Sequence, residues 1–114
     1  MLGKKITLSV LAFFLLIFGL KAQDLTQTIK GRVTDQQSGA PLPFVNVIIT
    51  DVDPPIGATS DVDGYYKLEN VPVGRRTIQF TFLGFGTQTI PNVEINAAKE
   101  LVLDIGLEES VEKL

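Results

Sequence analysis

The chain reads as an all-β protein, a seven-stranded antiparallel β-sandwich placed behind a cleaved leader. Three observations predict this. Beyond Gln27 the apolar residues recur with period two, and no stretch carries a helical stripe of useful length. The alternating runs are short and evenly spaced, as the strands of a sandwich are. Between them, glycine, proline, asparagine and aspartate gather at residues 39–43, 51–57, 61–64 and 70–74, which is turn chemistry.

Ahead of the strands, Lys4 and Lys5 precede an apolar run from Ile6 to Leu20, and Ala22 stands before Gln23. That three-part form is a secretory signal and predicts cleavage after Ala22, with residues 1–22 as the signal peptide and 23–27 as a short leader. An uncleaved membrane anchor is the competing reading, but the fifteen residues of the run fall short of the roughly 20 that a helix needs to cross a bilayer. A core helix is the third reading, and it fails because no charged residue gives the run an outer face.

Charge and composition exclude several function classes. Three of the ten basic residues lie in the signal and all thirteen acids lie beyond it, so the processed chain carries a net charge of −6. A phosphate backbone is therefore excluded as partner, since nucleic-acid binding needs a basic surface. Arg75-Arg76 is the sole basic doublet, and neighbours on a strand point to opposite faces, so it reads as solvated charge at a turn. The absence of cysteine excludes lipidation at a signal-peptide cysteine, disulfides and thiolate metal sites. The 92 residues from Gln23 to Leu114 make one domain that must stand on its apolar core alone.

The strands come in order along the chain. Thr28 to Thr34 places Ile29, Gly31 and Val33 on one face, and Phe44 to Thr50 turns Val45, Val47 and Ile49 inward. β-Branched side chains suit such a half-buried pleat. Pro54-Pro55 cannot continue a ladder, because proline has no amide proton, so Asp51 to Gly57 is a loop. A short strand over Ala58 to Ser60 leads into Asp61-Val62-Asp63-Gly64, where Asp63-Gly64 supplies the positive backbone angles of a tight hairpin. Tyr65 to Glu69 returns with Tyr66 and Leu68 inward. Arg75 to Phe82 is the cleanest alternation, making Ile78, Phe80 and Phe82 the expected centre of the core. Gly84 and Gly86 flank Phe85 in a bend. Thr87 to Ile90 and Leu101 to Leu107 complete the set, and the acidic tail 108–114 reads as the start of a linker.

These pieces carry a resemblance. Ile29-x-Gly31, Gly39 with Pro41-Leu42-Pro43, Asp63-Gly64 before Tyr66 and Leu68, Pro72-x-Gly74, and Gly84-Phe85 together resemble the carboxypeptidase regulatory-like domain over residues 28–107. The resemblance implies a sandwich of the transthyretin and immunoglobulin-like sort with no catalytic chemistry of its own. It also implies a place: behind the signal peptide of TonB-dependent outer-membrane receptors of Bacteroidetes, as a periplasmic element that works by protein-protein contacts during nutrient transport. Such receptors continue with a TonB-contacting segment, a plug and a membrane barrel, and the acidic tail is then the lead-in to the next segment. The loop at Asp51 to Ile56, with its two prolines, departs from the family pattern.

Candidate sites are few. Asp51, Asp53, Asp61 and Asp63 are the carboxylates that could attract Ca²⁺, and Asp61-x-Asp63-Gly64 matches part of an EF-hand loop. The flanking helices and the bidentate glutamate of such a loop are missing, so the plainer reading is aspartates bonding their own turn amides. With no histidine, neither the usual serine triad nor a histidine-ligated zinc can be assembled. No cofactor and no enzymatic activity are therefore expected. Phe44 and Tyr65 fall out of phase with the core and are candidates for ligand contact, as a platform on which a sugar stacks. The bland alternative is that they cover an edge or a neighbouring domain. Two functions compete: the receptor's accessory domain, and a free-standing exported module that binds glycan or peptide.

Overall fold

A computed structural model of the protein describes residues 25–110. The expected signal peptide and the last four residues of the tail lie outside them. Eight strands form two four-stranded sheets: β1 (Thr26–Asp35), β2 (Asn46–Ile49), β3 (Ile56–Thr59), β4 (Tyr65–Pro72), β5 (Gly74–Thr81), β6 (Gln88–Ile95), β7 (Leu101–Val102) and β8 (Ile105–Leu107). In the first sheet β1 is central, with β4 on one side and β7 followed by β8 along the other. The second sheet has the order β3-β2-β5-β6.

The alternation read from the sequence becomes the interface between the sheets. Ile29 and Val33 of β1, Leu68 and Val71 of β4 and Leu107 of β8 are fully or almost fully buried. Val47 and Ile49 of β2 and Ile78 and Phe80 of β5 face them from the second sheet and are buried as completely. Tyr66 and Phe80 meet edge to face across the interface, with ring centroids 5.6 Å apart, an arrangement that the opposite signs of ring edge and ring face favour.

Four expectations are corrected. The last expected strand, Leu101 to Leu107, is two strands, so the count is eight, and both pair with β1 in parallel, not antiparallel. The cause is the chain's route. β6 finishes at Ile95, opposite Gly74, at the end of the sandwich where Leu25 accepts a hydrogen bond from the Val73 amide. Residues 96–100 cross there to the first sheet, so β7 and β8 run beside β1 in its own direction. Gln27 pins the crossing by donating to the carbonyls of Asn96 and Ala97, each at 3.1 Å.

The third strand starts at Ile56, directly after the prolines, and stops before Ser60. Phe82 is not central: it lies past the end of β5 and packs on Phe85, with centroids 5.4 Å apart. Finally, β4, β5 and β6 run longer than expected, so that only Val73 separates β4 from β5. β6 passes through Pro91 by means of a bulge at which Asn92 takes φ 57°. β4 has a matching bulge at Asn70, also at φ 57°. Asparagine tolerates this left-handed conformation better than most residues. Both long edge strands are thus kinked, a device that discourages pairing with further chains.

The start of the acidic tail is tied to the fold. Phe85 and Glu109 form a bridge, the Gly86 amide donates to the Glu108 carbonyl at 2.8 Å, and the Ser110 amide donates to Gly84 at 2.9 Å.

Candidate functional site

An open groove of about 620 Å³ is lined by Lys30, Tyr65, Lys67, Val102 and Asp104, with Thr59 and Asp61. Gly31 and Tyr66 form its floor. It exists because the edge of the first sheet is interrupted. Between β7 and β8 the chain dips under β1, and a Cβ on Gly31 would lie 1.9 Å from the Leu103 carbonyl oxygen. Only glycine allows that approach.

The interruption leaves few polar groups stranded. The Leu103 amide donates to the Lys30 carbonyl at 2.8 Å, and the Tyr66 hydroxyl donates to the Leu103 carbonyl. The Arg32 amide, which a continuous ladder would pair with backbone, donates instead to Oδ1 of Asp104 at 2.9 Å. Burial, and secondarily the negative charge of Asp104, pushes the Tyr66 phenol well above its ordinary range, so it stays a donor.

Tyr65 is fixed beside this floor. Its amide donates to Oδ1 of Asp61 at 2.9 Å, and its carbonyl accepts from the Asp61 amide at 2.8 Å. The Arg32 guanidinium stands 5.0 Å from the ring centroid, within cation–π range, and is held there by its Nε bond to the Asp63 carbonyl. Tyr65 is 53% exposed. Lys30 is paired with Glu100 at 2.9 Å and Lys67 with Glu69 at 3.3 Å. The Lys30 ammonium, through its hydrogen bond, holds the Glu100 carboxyl below the usual range.

Of the two aromatics singled out in the sequence, Tyr65 lies in the groove and Phe44 does not. Phe44 is 66% exposed and takes φ 61°, a left-handed conformation rare for an aromatic residue. Ser60 holds it there. The Phe44 amide donates to the Ser60 carbonyl at 2.9 Å, while the Ser60 hydroxyl accepts from the Val45 amide at 2.8 Å and donates to the Leu42 carbonyl at 2.7 Å. Ser60 is buried among the described residues, although its sequence position is only the expected end of a strand.

The four aspartates do not gather. Asp51 and Asp53 lie in the β2–β3 loop and Asp61 and Asp63 in the β3–β4 turn, at opposite ends of a strand that spans about 13 Å at 3.3 Å per residue. Asp51 accepts from the Thr77 amide at 3.1 Å, and Oδ1 of Asp61 accepts from the amides of Asp63 and Tyr65. Among the described residues no three acidic side chains come together as metal ligands would. Arg76 of the basic doublet is structural: its guanidinium donates to the carbonyls of Pro72 and Val73, closing the β4–β5 corner.

Two facing sheets with one grooved outer surface define the chain as a β-sandwich domain. It belongs to the carboxypeptidase regulatory-like domain family, whose model matches residues 28–108. A TonB-dependent receptor of Formosa agariphila, named P3, is 42% identical over 82 residues, which are 72% of this chain and 8% of the receptor. Among solved structures, a chain of a type II cohesin–X-dockerin complex from Acetivibrio cellulolyticus superposes with a TM-score of 0.58 at 24% identity, over 69% of this chain and 52% of the other. A 3-chlorocatechol 1,2-dioxygenase from Rhodococcus opacus gives 0.59 at 14% identity, over 77% and 62%. Such distant likeness shows the fold alone, and a fold shared with a dioxygenase does not decide function.

Proposed function

We propose that the chain is a non-catalytic accessory domain of a TonB-dependent outer-membrane receptor, exported to the periplasm and working there by protein-protein contacts during nutrient uptake. The observation that carries this is the 42% identity to one such receptor, of whose length the matched stretch is 8%. A segment that small within a receptor is a module and not the transport machinery. The family match over residues 28–108 supports the same reading, as does the pattern of Lys4, Lys5 and the apolar run to Leu20, which would send the chain across the inner membrane. Among the groove's residues no hydroxyl is hydrogen-bonded to a side-chain base, as an acyl-transfer site requires.

The genomic reading frame past the Leu114 codon tests the proposal. A frame that continues into a TonB-contacting segment, a plug and alternating barrel strands supports it, with the product then expected to fractionate with outer membranes. A stop codon at that point overturns it and leaves a free-standing exported module.

A further inference from the structure

The fold explains why Tyr66 and Leu68 are where they are, but not why Tyr65 is. Its ring contributes nothing to the core, yet its backbone is bonded on both sides to Asp61 and its ring lies under a guanidinium itself fixed to Asp63. A half-exposed tyrosine held this rigidly, lining a groove of about 620 Å³, is a preorganised contact surface. The volume falls within the range of small-molecule sites, which are about 300–1,000 Å³.

The groove's polar groups select the ligand. Asp61 and Asp104 each use Oδ1 on backbone amides, and no hydrogen bond among the described residues uses the second oxygen of either. Those oxygens can accept from hydroxyl groups. Lys30 and Lys67 supply donors, and Thr59 can do either. Charges of both signs alternate around the wall, and the two lysines already have carboxylate partners. An anionic ligand would meet Asp61 and Asp104; a cationic one would meet Lys30, Lys67 and the guanidinium that already occupies Tyr65. An extended peptide adding to β4 would find the Tyr65 backbone taken on both sides by Asp61. The ligand that fits is uncharged, rich in hydroxyl groups, and has one flat face of C–H bonds to lay on the ring.

We propose that this groove binds a neutral oligosaccharide, stacked on Tyr65 and hydrogen-bonded by Asp61, Asp104, Lys67 and Thr59. Binding at the groove does not depend on a receptor barrel continuing the chain.

The test is titration of the full chain with cellotetraose, xylotetraose and laminaritetraose, read by calorimetry and by backbone amide NMR shifts, with an alginate tetramer and trilysine as charged comparators. At least one neutral tetraose should bind saturably, with shifts confined to residues 30–32, 59–61, 65–67 and 102–104. Tyr65→Ala should weaken it about ten-fold, the scale of a lost aromatic contact, while Tyr65→Phe should retain it. Asp104→Asn, which keeps an acceptor for the Arg32 amide, serves as a second variant and should weaken binding severalfold. The proposal is overturned if no neutral tetraose binds, if only a charged comparator does, if the shifts lie elsewhere, or if folded Tyr65→Ala binds as the parent does.

Discussion

The hydroxyl of Tyr66 donates to the carbonyl of Leu103, thirty-seven residues away, where the chain passes beneath Gly31. That bond joins the strand on one side of β1 to the break between strands on the other. Tyr66→Phe keeps the ring against Phe80 but leaves the Leu103 carbonyl without this partner. Urea unfolding should show a loss of about 1 kcal/mol or more, the cost of orphaning a part-buried acceptor.

The same phenol sets a pH limit. Its folded pKa is raised above that of the unfolded chain, so the neutral form is favoured by folding and the stabilisation is complete below the unfolded value of about 10. It is lost progressively as the pH rises from there towards the folded value. The parent's unfolding free energy should therefore decline more steeply in alkali than that of Tyr66→Phe. Parallel declines would show that Tyr66 is not the group responsible.

Gly31→Ala should be far worse than Gly86→Ala. Its Cβ would collide with backbone, which cannot swing away, so the loss should reach or exceed the upper end of the about 1–3 kcal/mol typical of overpacking. Gly86→Ala is the comparison: its nearest neighbour is the Glu108 carbonyl oxygen at 3.8 Å, and its effect should stay within about 0.5 kcal/mol. Equal melting temperatures for the two variants would contradict the close approach at Leu103.

Ser60→Ala removes the hydroxyl that serves both the Val45 amide and the Leu42 carbonyl in a buried setting. A loss of about 2–4 kcal/mol is expected in chemical unfolding, since two groups lose their partner at once. Ser60→Thr, which keeps the hydroxyl, should recover part of it.

Calcium should leave the unfolding midpoint unchanged. A ligand bound only by the folded state must raise stability, and the four turn aspartates lie in two separated pairs, with Asp51 and Asp61 each committing one oxygen to backbone amides. A rise in midpoint that Asp63→Asn abolishes would reinstate the Asp61–Asp63 turn as a site.

The parts of the fold visible in the sequence are those set by local alternation. Ile29, Val33, Leu68, Ile78 and Phe80 declare their side by the polar residues on either hand, and all are buried. Strand direction is not declared, because period two is the same in parallel and antiparallel ladders. Nor is the break at Leu103-Asp104, where the apolar alternation continues as though the strand did. Of the site, Tyr65 was legible as an aromatic out of phase with the core. The groove around it was not: its lining comes from β1, β3, β4, β7 and the segments next to them, and only their packing creates it. Ser60 looked like any polar residue at a strand end. Its signal is a burial that no local pattern reports.

The parallel pairing of β1 with β8 also has a mechanical meaning. The described chain begins at Leu25, beside Val73 at one end of the sandwich, and leaves it at Ser110, beside Gly84 at the other. Tension along the chain therefore pulls β1 and β8 in opposite directions along their shared ladder. The ladder bonds are loaded together in shear, and not peeled apart one after another as they would be in a hairpin opened from its ends. Single-molecule stretching through residues 25 and 110 should meet a higher rupture force than stretching through residues 26 and 72, which face each other across the antiparallel β1–β4 pair. Pulled along its length, the sandwich resists as a unit before any one strand leaves it.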